Sequence, residues 1–362
     1  WTYTVPSADL VHLKDGDASV QVSVTNVNGN SASAGREYSV DATAPSVTIN
    51  PIATDDILNA SEAQSDLAIS GTSTAEAGQT VTVSLNGKDY TTTVSANGSW
   101  TLNVPAADLA GLSDGSVTVT ASVSDKAGNP ASADHNLTVD VTVPAVTIHT
   151  VAGDDVINVA EHNQAQIISG SATGAAAGDK VTVTIGGQTY TTVLDAAGNW
   201  SVGVPASVIS SLSDGSVTIT ASVTDAAGNT GSGTHNVTVD TGLPSVSFNA
   251  ISDDNVLNAV EKGQDLSVSG TSANLAEGTV VTVTLNGKNY TATTAADGTW
   301  SLTVPAADLA GLGQANYTLN ATATNGVGNS VSNTANLLVD TALPTVTINT
   351  VAGDNVINAA EV

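Results

Sequence analysis

Apolar and polar residues alternate with a period of two along much of the chain. Val117, Val119, Ala121 and Val123 interleave with Thr118, Thr120, Ser122 and Ser124, and the stretches Val181 to Ile185 and Val217 to Val223 behave alike. This alternation predicts β-strands with one face toward a core and one toward water. Turn pairs cut the strands at short intervals: Asn86-Gly87, Asn97-Gly98, Asp114-Gly115 and Gly128-Asn129. Such pairs supply the positive φ angles that tight hairpins need. The stretch Pro105 to Leu112 predicts one helical turn, with Pro near its start and Gly111 able to end it. A helical solenoid conflicts with the abundance of Thr and Val.

The pattern is also repeated. Trp1, Trp100, Trp200 and Trp300 recur at a spacing of about 100 residues. Each is followed by a Val-Pro pair ending at Pro6, Pro105, Pro205 or Pro305. An Asp-x-x-x-Pro segment recurs at Asp41/Pro45, Asp140/Pro144, Asp240/Pro244 and Asp340/Pro344, with Tyr90, Tyr190 and Tyr290 and with Gly71, Gly170 and Gly270 between. Val104 to Leu112 is copied without change at Val304 to Leu312. Placing the boundary at Asp-x-x-x-Pro gives complete units at 41–140, 141–240 and 241–340, the back part of a unit at 1–40 and the front part of another at 341–362. The chain thus reads as an excerpt from something longer. About seven short strands and one Trp per unit predict an all-β fold, tandem immunoglobulin-like β-sandwiches in an elongated rod.

The Trp-x-x-x-Val-Pro segment, the Asp-x-Ala-Gly-Asn loop at Asp225 to Asn229 and the Val-Asp-x-x-x-Pro linker resemble tandem bacterial immunoglobulin-like repeats. Repeats of this kind fill the stalks of giant non-fimbrial adhesins of the Salmonella type, secreted by type I systems. The resemblance implies secretion to the bacterial surface through type I machinery and contact with a host cell through the parent protein. It also implies Ca²⁺ held by Asp side chains near domain junctions.

Composition limits the alternatives. The chain carries 34 acidic residues against 7 basic ones, for a net charge of -27. A nucleic-acid backbone or an anionic membrane surface needs clustered Lys and Arg, so neither is expected as a partner. With no Cys there is no disulfide, thiolate metal site or Cys nucleophile. No apolar run is long enough to span a bilayer, so membrane insertion is not expected. Aromatic residues make up 3% of the chain, so the core must be built from Val, Ile, Leu and Ala around each Trp.

Catalysis is not expected. Of the five His, only His135 and His235 occupy equivalent places, read as solvent-facing on the last strand. No Ser sits in a Gly-x-Ser-x-Gly elbow, and no Gly-rich loop precedes a helix. Paired carboxylates would need a walled cleft with aromatic platforms to act as a glycosidase.

The acids read better as oxygen donors. A hard cation takes six to eight oxygens from carboxylates, amides, carbonyls and water. In a seven-stranded sandwich with alternating strand direction, the first, third and fifth turns lie at the downstream pole. That places Asp55, Asp56 and Asp114 beside the linker Asp140, with Asp225 arriving from the next unit. The equivalent candidates are Asp41 and Asp125 upstream, then Asp154, Asp155, Asp214, Asp240, Asp253, Asp254 and Asp340 downstream. So many carboxylates at one pole repel by several kcal/mol at low effective dielectric, as an order of magnitude. A divalent cation would neutralise them and stiffen the joint. Against this stands ordinary turn chemistry, since Asp and Asn cap local backbone groups.

Asn325 and Asn26 replace the last-turn Asp, Gln314 replaces the Asp of Asp114 and Asp214, and Asn355 follows Asp354. The joint at 240 is therefore expected to bind more weakly than those at 41 and 140. Two functions follow: a Ca²⁺-rigidified monomeric spacer, or a module whose loops bind a host glycan or protein. The loops are small, acidic and nearly alike, which favours the spacer.

Overall fold

The structure of the protein, a computed structural model, describes residues 1–360 and 362. Between 41 and 140 the chain forms eight strands: β1 (Val47–Ile49), β2 (Ile57–Asn59), β3 (Leu67–Ser73), β4 (Thr80–Leu85), β5 (Lys88–Thr93), β6 (Ser99–Val104), β7 (Gly115–Ser124) and β8 (Pro130–Asp140). They build a three-stranded sheet, β1-β3-β6, and a five-stranded sheet, β2-β8-β7-β4-β5. The same two sheets recur in the next two units. One strand more than expected is present, because the first strand is split. β1 pairs antiparallel with β3, then the chain crosses sheets and β2 pairs parallel with β8, Asn59 opposite Asp140.

Alternation sets which face is buried. In β7, Val119, Ala121 and Val123 are buried while Thr118, Ser122 and Ser124 are exposed. The hairpin between β4 and β5 turns on Asn86 and Gly87 at φ 50° and 77°, the left-handed pair that a two-residue turn requires. The expected helical turn is present at Ala106–Leu109, and its Leu109 is buried.

Among the described residues each complete unit has its own core, around Trp100, Trp200 or Trp300. The units are thus tandem sandwiches arranged as a rod, joined by short linkers without regular structure at 141–144 and 241–244. Residues 1–40 form a hairpin of Gly16–Thr25 with Ser31–Val40. Lacking the facing sheet, its Trp1 is 93% exposed, whereas Trp100 is 2% exposed. No helix among the described residues is long and apolar enough to cross a membrane.

Candidate functional site at the repeat junctions

The joint after 140 is built from three segments. The turn before β7 supplies Asp114, whose Oδ1 accepts a hydrogen bond from the Val141 N–H at 2.8 Å, while its Oδ2 accepts one from the Thr142 hydroxyl. These bonds, the hydroxyl first, hold the Asp114 carboxyl below its ordinary value. Asp140, the last residue of β8 before the linker, accepts from the Thr142 N–H at 3.3 Å. The last loop of the following unit supplies Asp225 and Asn229. Asn229 donates to Asp225 Oδ2 at 3.0 Å and to the backbone oxygen of Asp140 at 2.9 Å.

Asp140 is the electrostatic centre of this arrangement. Burial raises its carboxyl above the ordinary value, against the opposing Thr142 N–H, and the negative charges of Asp225 and Asp114 push the same way. Three of the five acids expected at this joint therefore meet within electrostatic reach, from two units and their linker. The same places are filled at the other joints. Asp214 accepts from the Thr241 N–H at 3.0 Å, and Asp240 accepts from the Gly242 N–H at 3.0 Å. At the first joint, Asp41 accepts from Thr43 and Asn129 bridges Asp125 to the Asp41 carbonyl. At the last, Asp340 accepts from the Ala342 N–H at 3.0 Å, and Gln314 reaches Thr341 in place of an acid.

Asp55 and Asp56 are not part of the joint. The Asp56 carbonyl accepts from the Thr138 N–H, so the pair lies alongside β8 rather than beyond its end, about 10 Å short of the linker at the strand rise. Asp55 caps the Ile57 N–H at 3.1 Å. Asp56, at φ 64°, closes its own loop on the Ile52 N–H at 2.7 Å and lies 2.6 Å from His135 Nε2. Asp154 and Asp155 repeat this, Asp154 accepting from Val156 and Asp155 pairing with His235 at 2.7 Å.

In the third unit the register shifts by one. Asp254 takes the place of Asp55 and Asn255, at φ 65°, the place of Asp56, so Asp253 stands just before the pair, at the place of Thr54. The physical reason is the sheet-switching strand, which carries this loop back along the sandwich. His135 and His235 are half-buried on the same strand faces as the fully buried Leu137 and Val237, and so lie on the core side and are not solvent-facing.

Several residues outside the candidate ligand set also stand at the joints. Asp15, at the place of Asp114, accepts from Ala42 and Thr43. Asn59 and Glu62 form a small turn beyond β2, Glu62 accepting from the Asn59 N–H at 3.1 Å and Asn59 from the Ser61 and Glu62 N–H groups. Asn229 reaches this turn as well, accepting from the Ala60 N–H at 2.7 Å. The repeat spacing alone would have found Asp15. For Asn129, Asn229 and Asn329 the signal was an Asn kept at the end of a loop whose first residue changes from Asp to Asn.

The donor set is all oxygen, with no thiolate and no cationic partner at the centre, which suits a hard cation. The carboxylates are nevertheless engaged, Asp114 and Asp140 with linker N–H and hydroxyl groups and Asp225 with Ala227 and Asn229 of its own loop. Among the described residues no three acids or His are gathered in one cage ready for a metal. A cation here would have to draw Asp114 and Asp225 out of their hydrogen bonds.

The sequence profile of the bacterial Ig-like domain matches residues 52–141 and 142–241. Among solved structures, a 1.5-MDa bacterial ice-binding adhesin, described for host cell surface retention, is 34% identical over 82% of this chain and 98% of its own, with a TM-score of 0.44. A Ca²⁺-stabilized adhesin that helps an Antarctic bacterium reach out and bind ice is 38% identical over 94% of this chain and 85% of its own, with a TM-score of 0.42. A single immunoglobulin-like domain of the M. primoryensis ice-binding adhesin is 42% identical over 28% of this chain and 100% of its own, with a TM-score of 0.24. These are likenesses of sequence, to which whole-chain superposition adds nothing. No curated protein matches. With two successive units matched by one profile, the chain belongs to the family of bacterial Ig-like domains.

Proposed function

We propose that this chain is a non-catalytic stalk segment of a secreted bacterial surface adhesin, stiffened by Ca²⁺ at its joints. It would space a distal host-binding region from the cell. The observation that carries this reading is the meeting of Asp114 and half-buried Asp140 of one unit with Asp225 of the next, where Val141 bonds to Asp114 and Asn229 joins Asp225 to the Asp140 carbonyl. A cation bound by Asp114, Asp140 and Asp225 would remove their mutual repulsion only when both units are in place. Asp15, Asp41 and Asp125 would serve the preceding joint, and Asp214 and Asp240, with Asn325, the following one. Ca²⁺ would supply the positive charge that a chain with 7 basic residues lacks. The sequence likeness to a Ca²⁺-stabilized adhesin supports the same choice of ion.

Secretion by a type I system, in a Salmonella-type giant adhesin, fits this chemistry. A chain with small cores and repelling joints is less stable where Ca²⁺ is scarce and gains binding free energy outside the cell. With units of roughly 30–40 Å each, three would project the tip by on the order of 100 Å. Small-angle scattering on the full chain tests the reading. Millimolar Ca²⁺ should lengthen and narrow the distribution of end-to-end distances and raise the thermal midpoint by several degrees, roughly. Identical scattering and melting in Ca²⁺ and in chelator would remove the cation.

A further inference from the structure

The joints contain a second device, built on backbone groups that one repeat offers to the next. Asn229 is 5% exposed and Asn329 2%, each in a loop of the following unit, and each spends both ends of its amide on the preceding unit. The nitrogen of Asn229 donates to the Asp140 carbonyl at 2.9 Å, and that of Asn329 to the Asp240 carbonyl at 2.9 Å. The oxygen of Asn229 accepts from the Ala60 N–H at 2.7 Å, and that of Asn329 from the Val159 N–H at 2.8 Å. An amide reading one carbonyl and one N–H fixes both separation and rotation, because it must present its two ends to two segments at once.

The preceding unit leaves that N–H for its neighbour. Asn59 takes the Ser61 and Glu62 N–H groups, and Glu62 takes that of Asn59, so Ala60 has no local acceptor among these side chains. Asn158 and Glu161 divide the second turn in the same way and leave Val159. The third unit is an internal control. Asn258 and Glu261 form the same local bonds, and since the described residues include no last loop of a following repeat, Asn258 and Ala259 are exposed where Asn59, Ala60, Asn158 and Val159 are half-buried.

We infer that the Asn closing the last loop of each repeat is a metal-independent latch, a docking contact whose partner is the linker carbonyl and turn N–H of the preceding repeat. The joint at 240 separates it from the cation site: there Asp225 is replaced by Asn325, yet Asn329 makes both bonds across the joint. The latch thus sets the orientation of one repeat on the next before any ion binds, and does so equally at joints rich and poor in acid.

The test is hydrogen exchange, with residual dipolar couplings for unit orientation, on the full chain in chelator. The Ala60 and Val159 amides should exchange about tenfold more slowly than Ala259, the protection expected of one net hydrogen bond. Asn229→Ala should bring Ala60 to the Ala259 rate, leave Val159 unchanged and free the first two units from a common alignment. Should Asn229→Ala disturb its own loop, Val159→Pro provides a second route. It deletes the donor at the first position of the Val159–His162 turn, where proline is tolerated, and Asn158 at ψ 180° can precede a proline. The second and third units should then lose their common alignment while each keeps its own spectrum. Equal exchange at Ala60, Val159 and Ala259 in chelator, or alignment unchanged by both variants, would overturn the latch and leave the cation reading standing. Indifference of the joints to added Ca²⁺, with these amides still protected, would do the reverse.

Discussion

Gly71 faces Trp100 across the β3–β6 pair, and a Cβ placed on Gly71 would stand 2.5 Å from Trp100 Cζ2 and 1.9 Å from the Thr48 carbonyl oxygen. The indole lies over a strand that has no side chain to oppose it. Gly170 with Trp200 and Gly270 with Trp300 repeat the relationship. The glycine is required for space, since its backbone is ordinary extended strand.

Gly71→Ala should therefore destabilise the first complete unit by about 3 kcal/mol, because one of the atoms in the way is backbone and cannot swing aside. The other two units have separate cores and should melt as before. Calorimetry on the full chain would show one displaced transition. A uniform shift of the whole trace would mean that the units are not independent.

Asp140 gives a prediction whose sign reverses with the metal. Its carboxyl is raised in the folded state, by burial first and then by Asp225 and Asp114. A raised acid contributes stability that is present below its unfolded value and lost as pH rises through its folded value. At neutral pH the ionised group is therefore a burden. Asp140→Asn keeps an acceptor for the Thr142 N–H and removes the charge. In chelator at pH 7 it should raise the melting point by about 2 °C, and in Ca²⁺ it should shrink the gain that the ion brings. A variant less stable than the parent in chelator would show that Asp140 is not strained by its neighbours.

Much of this was legible in the sequence, for reasons that particular residues make plain. Alternation in Val117 to Val123 is a direct image of a sheet with one wet face, and four Trp residues at even spacing mark the units. The meeting of Asp114, Asp140 and Asp225 followed from strand count and direction. β2 was not legible, because three residues cannot display a period, and a strand that changes sheets breaks the rule by which turns are assigned to poles. That one strand moved Asp55 and Asp56 away from the joint. Asn229 was hidden differently: in a turn motif an Asn is read as a local cap, and nothing in its own sequence shows that it bonds to residues 140 and 60.

The His135–Asp56 pair divides the units by acid sensitivity. His135 first, and then the Ile52 N–H, hold the Asp56 carboxyl below its ordinary value; in the second unit the Val151 N–H and then His235 do so for Asp155. A lowered acid stabilises fully above its unfolded value, and that stability is lost as pH falls through the folded value. The third unit has Asn255 and Ala335 in these places and nothing there to titrate. Between pH 5 and 2 in chelator, the first two units should lose more from this position than the third. Asp56→Asn with His135→Ala should cut the acid sensitivity of the first unit, by about 2 °C given the partial exposure of the pair. An unchanged acid slope in the double variant would assign the sensitivity to other carboxylates.

The joints themselves should differ in affinity. At 140 the three acids are Asp114, Asp140 and Asp225; at 240 they are Asp214 and Asp240, with Asn325 offering a neutral amide oxygen. An amide can coordinate a hard cation, but it removes one negative charge from the site and gives up the charge-assisted part of the attraction. The linker bonds differ as well, since Val141 and Thr142 occupy both oxygens of Asp114 whereas Thr241 alone holds Oδ1 of Asp214, but this restores no charge to the 240 joint. Calorimetric titration of fragments 41–240 and 141–340 should give Ca²⁺ binding about tenfold weaker at the 240 joint, as an order of magnitude for one unit charge near a half-solvated site. Asn325→Asp should recover most of the difference without altering the Asn329 bonds across the joint. Equal affinities in the two fragments would mean that the last-loop acid is a turn residue and no ligand, and the ion would then have to be sought around Asp114 and Asp140 alone.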